Sequence, residues 1–365
     1  MAFFLNTQPN TFGLSINDRS IQLVQFFRSG KQNYTNAKLR TVRGVGLPEG
    51  LVSSGEILQP EPVRGFIQKL LTHKKDGQGT ITGKWAIASI PEEKSFIKII
   101  HIPKEVGHIT TEDVLSEVEH HLPLKSEDYY TDWMPLSTEQ TEKGTPVIVA
   151  AVEKQTADMY TYLIESVGLG VAALDIESLA VARAMRGSVE PTPSSMLILD
   201  IGAHSSTAII CDHKTTQLSH MIARGGDHFT EALSTALHIP KEEAERIKRD
   251  KDVGTVHNPA WSTLAAEAQI LSTEIKKVVS FYQTHFHNGN TITHIILTGG
   301  GASIEPLSTM IEKELHTPVT IGNPWKQLSS TKTITIPKAD SLRFSAAVGL
   351  GLRAAYNPFS KRSLI

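Results

Sequence analysis

The sequence predicts an α/β fold of two related lobes, with a small α+β unit inserted into the first. Three observations carry this expectation. Two stretches share one pattern of apolar strand, polar turn and second strand: FGLSINDRSIQLVQ (12–25) and MLILDIGAHSSTAIICD (196–212). Ser15 and Asp200 hold the same place in the two, and a repeat of about 185 residues means related halves rather than a solenoid. MLILDI and HIILTG are continuous apolar runs, as strands buried on both faces require. After HIILTG come a glycine turn and a helix with Leu307, Ile311 and Leu315 on one face, which is α/β architecture.

The segment between the two patterns predicts the inserted unit. FIKIIHI (96–102) reads as a strand. ITTEDVLSEVEHHL reads as an amphipathic helix capped by Thr110, with Val114, Val118 and Leu122 aligned. DYYTDWMPL and PVIVAAVE read as two strands, joined by the exposed loop STEQTEKGT (137–145). TADMYTYLIESVG reads as a second helix with Met159, Leu163 and Val167 aligned and Gly168 as its stop, and VAALDIE returns as a strand. GSVEPTPSS (187–195) is the expected linker between the halves. GVGLPEG (44–50) follows no evident buried strand and reads as a surface loop. The expected boundaries are a first lobe over 1–95, continued by 173–195 and 341–358, and an insertion over 96–172. A second lobe spans 196–340, its smaller part over about 226–291, and a short tail spans 359–365.

The bulk numbers narrow the function. The chain has 365 residues, 40% hydrophobic and 20% charged, with a net charge of −2. A near-neutral balance offers no electrostatic footprint for nucleic acid or an anionic membrane surface. No run approaches the roughly 20 apolar residues of a membrane helix, and MAFFLN is too short, without a basic start, for a secretory signal. The single cysteine, Cys211, lies in a strand-like apolar run and reads as a buried thiol. With no internal disulfide available, the expected location is the cytoplasm, with recruitment to the inner face of the membrane only through partners.

Glycine turns let backbone N–H groups approach phosphate oxygens, because no Cβ intervenes. Two such turns facing each other across a cleft hold a triphosphate, a carboxylate at each strand end holds Mg²⁺ through water, and a third glycine turn underlies a base. DIGAHSST, TGGGASI and FSAAVGLGLRAA resemble the second phosphate, adenosine and second connecting motifs of the actin-like ATPases, which have a ribonuclease H-like fold. RGGDHFTEALSTALHIPKEEAERIK resembles a segment of the FtsA and PilM families. YYTDWMPL, LDIESLAVARAM and VTIGNPW are similar to the PilM family of type IV pilus assembly proteins in particular. The resemblance spans about residues 11 to 358 and rests on the order and spacing of motifs that are individually weak.

That resemblance implies the site residues. Gly202, Ala203 and His204 fall in the second phosphate turn, and Asp200 is the implied Mg²⁺ residue, acting through water. Gly299, Gly300, Gly301 and Ala302 match the adenosine loop; Glu245 and Lys248 match a pair that flanks ribose and base; Asn17, Asp18 and Arg19 fall in the first phosphate turn. The implied cofactors are ATP and Mg. The implied partner is the cytoplasmic N-terminal tail of a PilN-like inner-membrane protein, lying between the first lobe and an SHS2-like insertion.

One departure stands against catalysis. The family reads close to DIG at the first phosphate turn, and this chain reads SIN, with Ser15 and Asn17. Loss of a carboxylate weakens Mg²⁺ binding and the polarising of an attacking water. Asp18, Asp175 and Glu177 are the candidates to cover for it, against the plainer reading of Asp175 and Glu177 as partners of a helix dipole. His120–His121 and His285–His287 lack a partner at metal-ligand spacing and read as structural.

Three functions therefore compete: a nucleotide-binding scaffold of pilus assembly, an active actin-like ATPase or sugar kinase, and an FtsA-like cell-division protein. The nine residues NPFSKRSLI after the last expected helix are too few for the amphipathic membrane helix of FtsA. Self-association stays open, since filament contacts leave no spacing signature.

Overall fold

The structure is a computed structural model that describes residues 10–27, 37–72, 79–120, 126–136, 143–189, 195–212, 215–250, 259–286, 290–328, 336 and 338–356. Fifteen strands and nine α-helices lie among these residues. The opening part holds β1 (Thr11–Asn17), β2 (Ser20–Phe26), β3 (Leu39–Gly46), β4 (Val52–Ser53), β5 (Glu56–Ile57), α1 (Pro60–Thr72) and β6 (Trp85–Ile90). The middle holds β7 (Ser95–Ile102), α2 (Thr111–Glu119), β8 (Tyr129–Pro135), β9 (Thr145–Glu153), α3 (Lys154–Glu165), β10 (Gly170–Ile176) and α4 (Glu177–Met185). Then follow β11 (Ser195–Ile201), β12 (Ser206–Asp212), β13 (Thr215–Ile222), α5 (Gly226–Leu237), α6 (Lys241–Lys248) and α7 (Pro259–His285). The chain closes with β14 (His294–Thr298), α8 (Leu307–Leu315), β15 (Val319–Ile321) and α9 (Ser345–Tyr356).

Two five-stranded sheets share one topology. The first runs β3-β2-β1-β6-β10, the second β13-β12-β11-β14-β15. In each, three antiparallel strands are followed by two parallel ones. The register makes the repeat residue-specific: Ser15 pairs with Gln22 and Asp200 with Thr207, while Ile16 pairs with Ile21 and Ile201 with Ser206. Ser15 and Asp200 are therefore true equivalents, as are Asn17 and Gly202, and Arg19 and His204.

Alternation along β1 explains the layering. Phe12, Leu14 and Ile16 join the core under α1 and α3, while Gly13 faces α9 so closely that a Cβ would overlap Leu350 and the Gly351 backbone. In β11, Leu197, Leu199 and Ile201 face α5, α7 and α8, and Met196 and Ile198 face the layer between the sheets. That middle layer is α4 and α9. Their small residues allow a close crossing: a Cβ on Gly349 would overlap the Ala180 carbonyl.

The six-element insertion expected from the sequence does not close on itself. Only β7, β9 and β8 form the small sheet. Its one face is covered by α2, where Val114 and Val118 meet Ile100, Ile102, Val147 and Val149. Thr110 and Asp113 form the capping box that starts this helix, and Leu122 lies outside the described residues. The other face meets Ile176 and Leu179. The last strand, β10, pairs in parallel with β6 and completes the first sheet, while Tyr160, Leu163 and Ile164 of α3 sit in that sheet's core. The segment GVGLPEG also differs from expectation, because Gly44–Gly46 belongs to β3. The tail 357–365, most of GSVEPTPSS and STEQTEKGT, His121 and His287 fall outside the described residues.

Candidate functional site

In α/β sheets the carboxyl ends of parallel strands face the ligand crevice. Here five strand ends converge. β1 ends at the turn Asn17–Ser20, β6 at Pro91 and Glu93, β10 at Glu177, β11 at Gly202, and β14 at Gly299. They line a cleft of about 660 Å³, within the range of cofactor pockets.

The second hairpin turn is built tightly. The Gly202 N–H donates to Ser205 O at 2.9 Å, and Gly202 O and Ala203 O accept the N–H groups of Gly226 and Asp227 at 2.9 and 2.8 Å. The start of α5 is thereby fastened to the turn. Gly299 has φ +80°, and a Cβ there would overlap the Asp200 carboxylate and the Ile201 backbone. At Gly301 a Cβ would overlap the Ile201 side chain. Glycine is needed in this loop because the loop lies directly on the strand end carrying Asp200.

The carboxylates of the cleft disturb one another. Burial, and then the charge of Glu92, push Asp200 up to about 7. Burial also raises Glu177 well above the ordinary carboxylate range, helped by Asp200, Glu93, Glu92 and Asp18. Both carboxylates are thus pushed toward their neutral forms by burial and by each other's neighbourhood. Glu92 is itself raised by burial. Glu93 accepts the Ser205 hydroxyl at 2.8 Å, which ties the end of β6 to the second turn. Nine carboxylates line the cleft against five lysine and arginine side chains. Among the described residues no three ligating groups converge closely enough to hold a metal directly.

The first turn differs from its repeat. Ser15 is 0% exposed, and its hydroxyl accepts that of Ser89 at 3.2 Å. It does not line the cleft. Asn17 accepts the Ser20 hydroxyl at 2.9 Å, closing the turn. Asp18 accepts the N–H groups of Ser54 and Gly55 at 3.1 and 3.2 Å, which fastens the β4–β5 hairpin. The same carboxylate lines the cleft, 3.7 Å from His204 of the second turn. Arg19 reaches across the cleft to Asp227 at 3.0 Å and also holds Glu49 at 3.2 Å. Burial opposes its charge, but these hydrogen bonds raise it.

Two other expectations change. Asp175, a candidate catalytic carboxylate, is 3% exposed and does not line the cleft. It pairs with Arg183 at 3.0 Å and Arg353 at 3.2 Å; burial disfavours its charge, but the two guanidiniums hold it below its ordinary value. It locks β10 to α4 and α9. Lys248, expected with Glu245 to flank a ribose and base, does line the cleft but is 6% exposed, and its ammonium donates to Gly226 O at 2.9 Å and Thr230 at 2.8 Å and pairs with Glu245 at 2.5 Å. Its three protons are thus used within the protein. Glu245, which also holds Thr230 and Arg249, lines the cleft and positions this group. Glu177 does face the cleft, as the first residue of α4.

Glu93, Asp227 and Arg343 belong to the cleft and were not anticipated. The strand-end rule applied to WAIASIPEE could have found Glu93. Arg343 lies on the Gly300 backbone, its Nε 3.5 Å from where a Cβ would stand. Arg19, Lys241, Lys248 and Arg249 are each paired within 3.2 Å. Arg343 has a 3.9 Å contact with Asp340, the loosest of the five among the described residues.

A family model described as type IV pilus assembly protein PilM matches residues 13–355. The chain belongs to the PilM family. Among solved structures, the PilM–PilN type IV pilus biogenesis complex is similar at 21% identity and TM-score 0.79, over 95% of this chain and 98% of that one. The ethanolamine utilization protein EutJ from Carboxydothermus hydrogenoformans follows at 15% identity and TM-score 0.57, over 95% and 90%. MreB 5 of Spiroplasma citri bound to AMPPNP is similar at 12% identity and TM-score 0.53, over 95% and 96%. At these identities the likeness is one of fold, the actin-like ATPase fold. No helix among the described residues is long and apolar enough to cross a membrane.

Proposed function

We propose that this PilM-family chain is a nucleotide-binding scaffold of the type IV pilus machinery that works on the cytoplasmic face of the inner membrane. The observation that carries the nucleotide reading is the convergence of two register-equivalent hairpin turns and the Gly299–Gly301 loop on one cleft. The similarity to MreB 5 bound to AMPPNP supports ATP as the ligand. The acidic excess of the cleft makes a bare triphosphate a poor guest, so the fitting ligand is one neutralised by Mg²⁺. Asp200 would hold that ion through water, since no direct ligand set forms. Gly202–His204 and Asn17–Arg19 would meet phosphates, and Gly299–Ala302 with Glu245 the nucleoside.

Binding without efficient turnover fits the carboxylates. A general base must be ionised, and burial and acidic neighbours push Glu177 toward its neutral form, which weakens it in that role. The first turn supplies no second strand-end carboxylate, because Ser15 is sealed against Ser89. Glu177 is the one residue that favours slow hydrolysis as a second reading, and Glu177→Gln would remove it.

The partner reading rests on the PilM–PilN complex, whose chain resembles this one throughout. A PilN-like N-terminal tail would bind where the small sheet meets α3. There β8 is an edge strand, able to pair with an extended peptide. Tyr130 on β8 and Tyr162 on α3 are 51% and 64% exposed, and Tyr130 donates to Asp158 of α3 at 3.0 Å. The organisation is then a first lobe continued by its returning segments, a small peptide-binding unit, and a second lobe that closes on nucleotide.

The test is a calorimetric titration of the full chain with Mg-ATP, repeated with a synthetic PilN-like tail peptide present. Binding of Mg-ATP, tail affinity that changes with nucleotide, and loss of tail binding in Tyr130→Ala/Tyr162→Ala are expected. No heat with Mg-ATP well above micromolar concentration would leave an actin-like scaffold without nucleotide. Unchanged tail binding in the tyrosine variant would reject the edge-strand site.

A further inference from the structure

The two hairpin turns converge on a single oxygen atom. Arg19 Nη2 lies 3.0 Å from Asp227 Oδ2, and His204 Nδ1 lies 2.8 Å from the same oxygen. Arg19 comes from the β1–β2 turn and His204 from the β11–β12 turn, at equivalent places of the repeat. Two nitrogen donors at charge-assisted distance from one oxygen is the arrangement that recognises a phosphoryl oxygen. We propose that Asp227 is an internal stand-in for a ligand phosphate, and that Arg19 and His204 form a phosphoryl clamp which a ligand enters by displacing the Asp227 carboxylate. The ligand class, a terminal phosphate of a nucleoside triphosphate or another polyphosphate, rests on the nucleotide reading above; the clamp itself rests on this geometry.

Four features support the assignment. The side chains of Arg19, His204 and Asp227 are 38%, 35% and 40% exposed, so the contact is open to the cleft rather than part of the core. The Asp227 N–H is fixed to Ala203 O at 2.8 Å, so its side chain can swing away while its backbone holds the second turn in place. The neighbouring charges on the clamp are Glu49, 3.2 Å from Arg19, and Asp18, 3.7 Å from His204, so both side chains are held in place by carboxylates. Lastly, Ser15 and Asn17 remove an acid and a glycine from the first turn, while both turn tips carry a cationic or imidazole donor.

Displacement has a measurable consequence: the native carboxylate competes with the ligand. The full chain, Asp227→Asn, Arg19→Gln, His204→Gln and the double variant Arg19→Gln/Asp227→Asn are titrated with Mg-ATP and with magnesium tripolyphosphate, each checked for folding by thermal melting. Asp227→Asn is expected to bind Mg-ATP more tightly by about fivefold or more, since it loses both a competing ion pair and a like charge beside the phosphate. Arg19→Gln and His204→Gln are expected to bind more weakly, and the double variant to lose the gain. A gain shared by tripolyphosphate marks a general phosphate clamp; a gain with Mg-ATP alone marks one that needs the nucleoside for alignment. If the wild type binds Mg-ATP and Asp227→Asn binds it no better, the clamp is overturned and the nucleotide reading survives. If neither binds Mg-ATP but Asp227→Asn binds tripolyphosphate, the clamp survives and the nucleotide reading fails. A folded Asp227→Asn that binds neither probe overturns both.

Discussion

Restoring the carboxylate that the first turn lacks is the sharpest probe of why it is missing. Ser15→Asp places an acid at a position 0% exposed, facing the Ser89 hydroxyl rather than the open cleft. Its repeat equivalent gives the scale. Asp200, half-buried at the same register, is pushed from 3.8 up to about 7. Three pKa units correspond to about 4 kcal/mol between the two protonation states. Ser15 is more deeply buried than Asp200, so its carboxylate would be shifted at least as far.

The sign follows from linkage. An acid whose native pKa lies above its unfolded value binds its proton more tightly in the native state. The penalty is absent below about pH 4, grows as pH rises toward the native pKa near about 7, and is complete by about pH 8. Overpacking by the larger side chain adds roughly 1 to 3 kcal/mol that does not depend on pH. The assay is urea unfolding of wild type and Ser15→Asp across that range. The stability difference is expected to widen by about 4 kcal/mol between the acid and alkaline ends. Mg-ATP is expected to raise the stability of both proteins, because ligand binding to the native state adds stability. Parallel pH curves for the two proteins would show that residue 15 is not sealed from water, and would remove this explanation for the serine.

Three further outcomes follow from single contacts. Gly349→Ala puts a Cβ onto the Ala180 carbonyl and is expected to part α4 from α9, lowering stability by about 3 kcal/mol or preventing folding, as read by thermal melting; wild-type melting would refute the close crossing. Arg343→Ala is expected to weaken Mg-ATP binding severalfold, and the lysine variant separates roles: rescue by lysine means a charge contact, no rescue means the planar group lies on the base. Cys211 is 6% exposed and burial pushes its thiol up to about 11, so a thiol reagent near about pH 8 is expected to react only on unfolding; fast native reaction would contradict its burial.

Much of the architecture was legible because it is periodic. The repeat that equates Ser15 with Asp200 is visible as two strand–turn–strand patterns, and backbone pairing turns that into register. Helix α2 could be read from Thr110 to Val118 because cap and apolar face are local signals. The sheet membership of β10 could not. Local periodicity says that VAALDIE is a strand, not that its neighbour is β6, more than eighty residues earlier in the chain. Asp175 fails for a related reason. An acid ending an apolar strand reads as catalytic or as a cap until Arg183 and Arg353 are seen to enclose it, and the second of these comes from the far end of the chain.

The site shows the same division. Glycines and strand ends were legible because they answer to backbone geometry, which sequence records directly. What fills the cleft was not, because each of its decisive contacts joins the two sheets: Arg19 to Asp227, Asp18 to His204, and Glu93 to Ser205. These contacts set the cleft's response to a ligand. A phosphate arriving between the turns meets an arginine already paired and the Asp227 carboxylate already in its place, so its net gain is the difference between its own contacts and those it breaks. On the proposed reading the same turns orient the ligand, while Ser15, sealed against Ser89, and Asp175, enclosed by Arg183 and Arg353, leave no free carboxylate at either place.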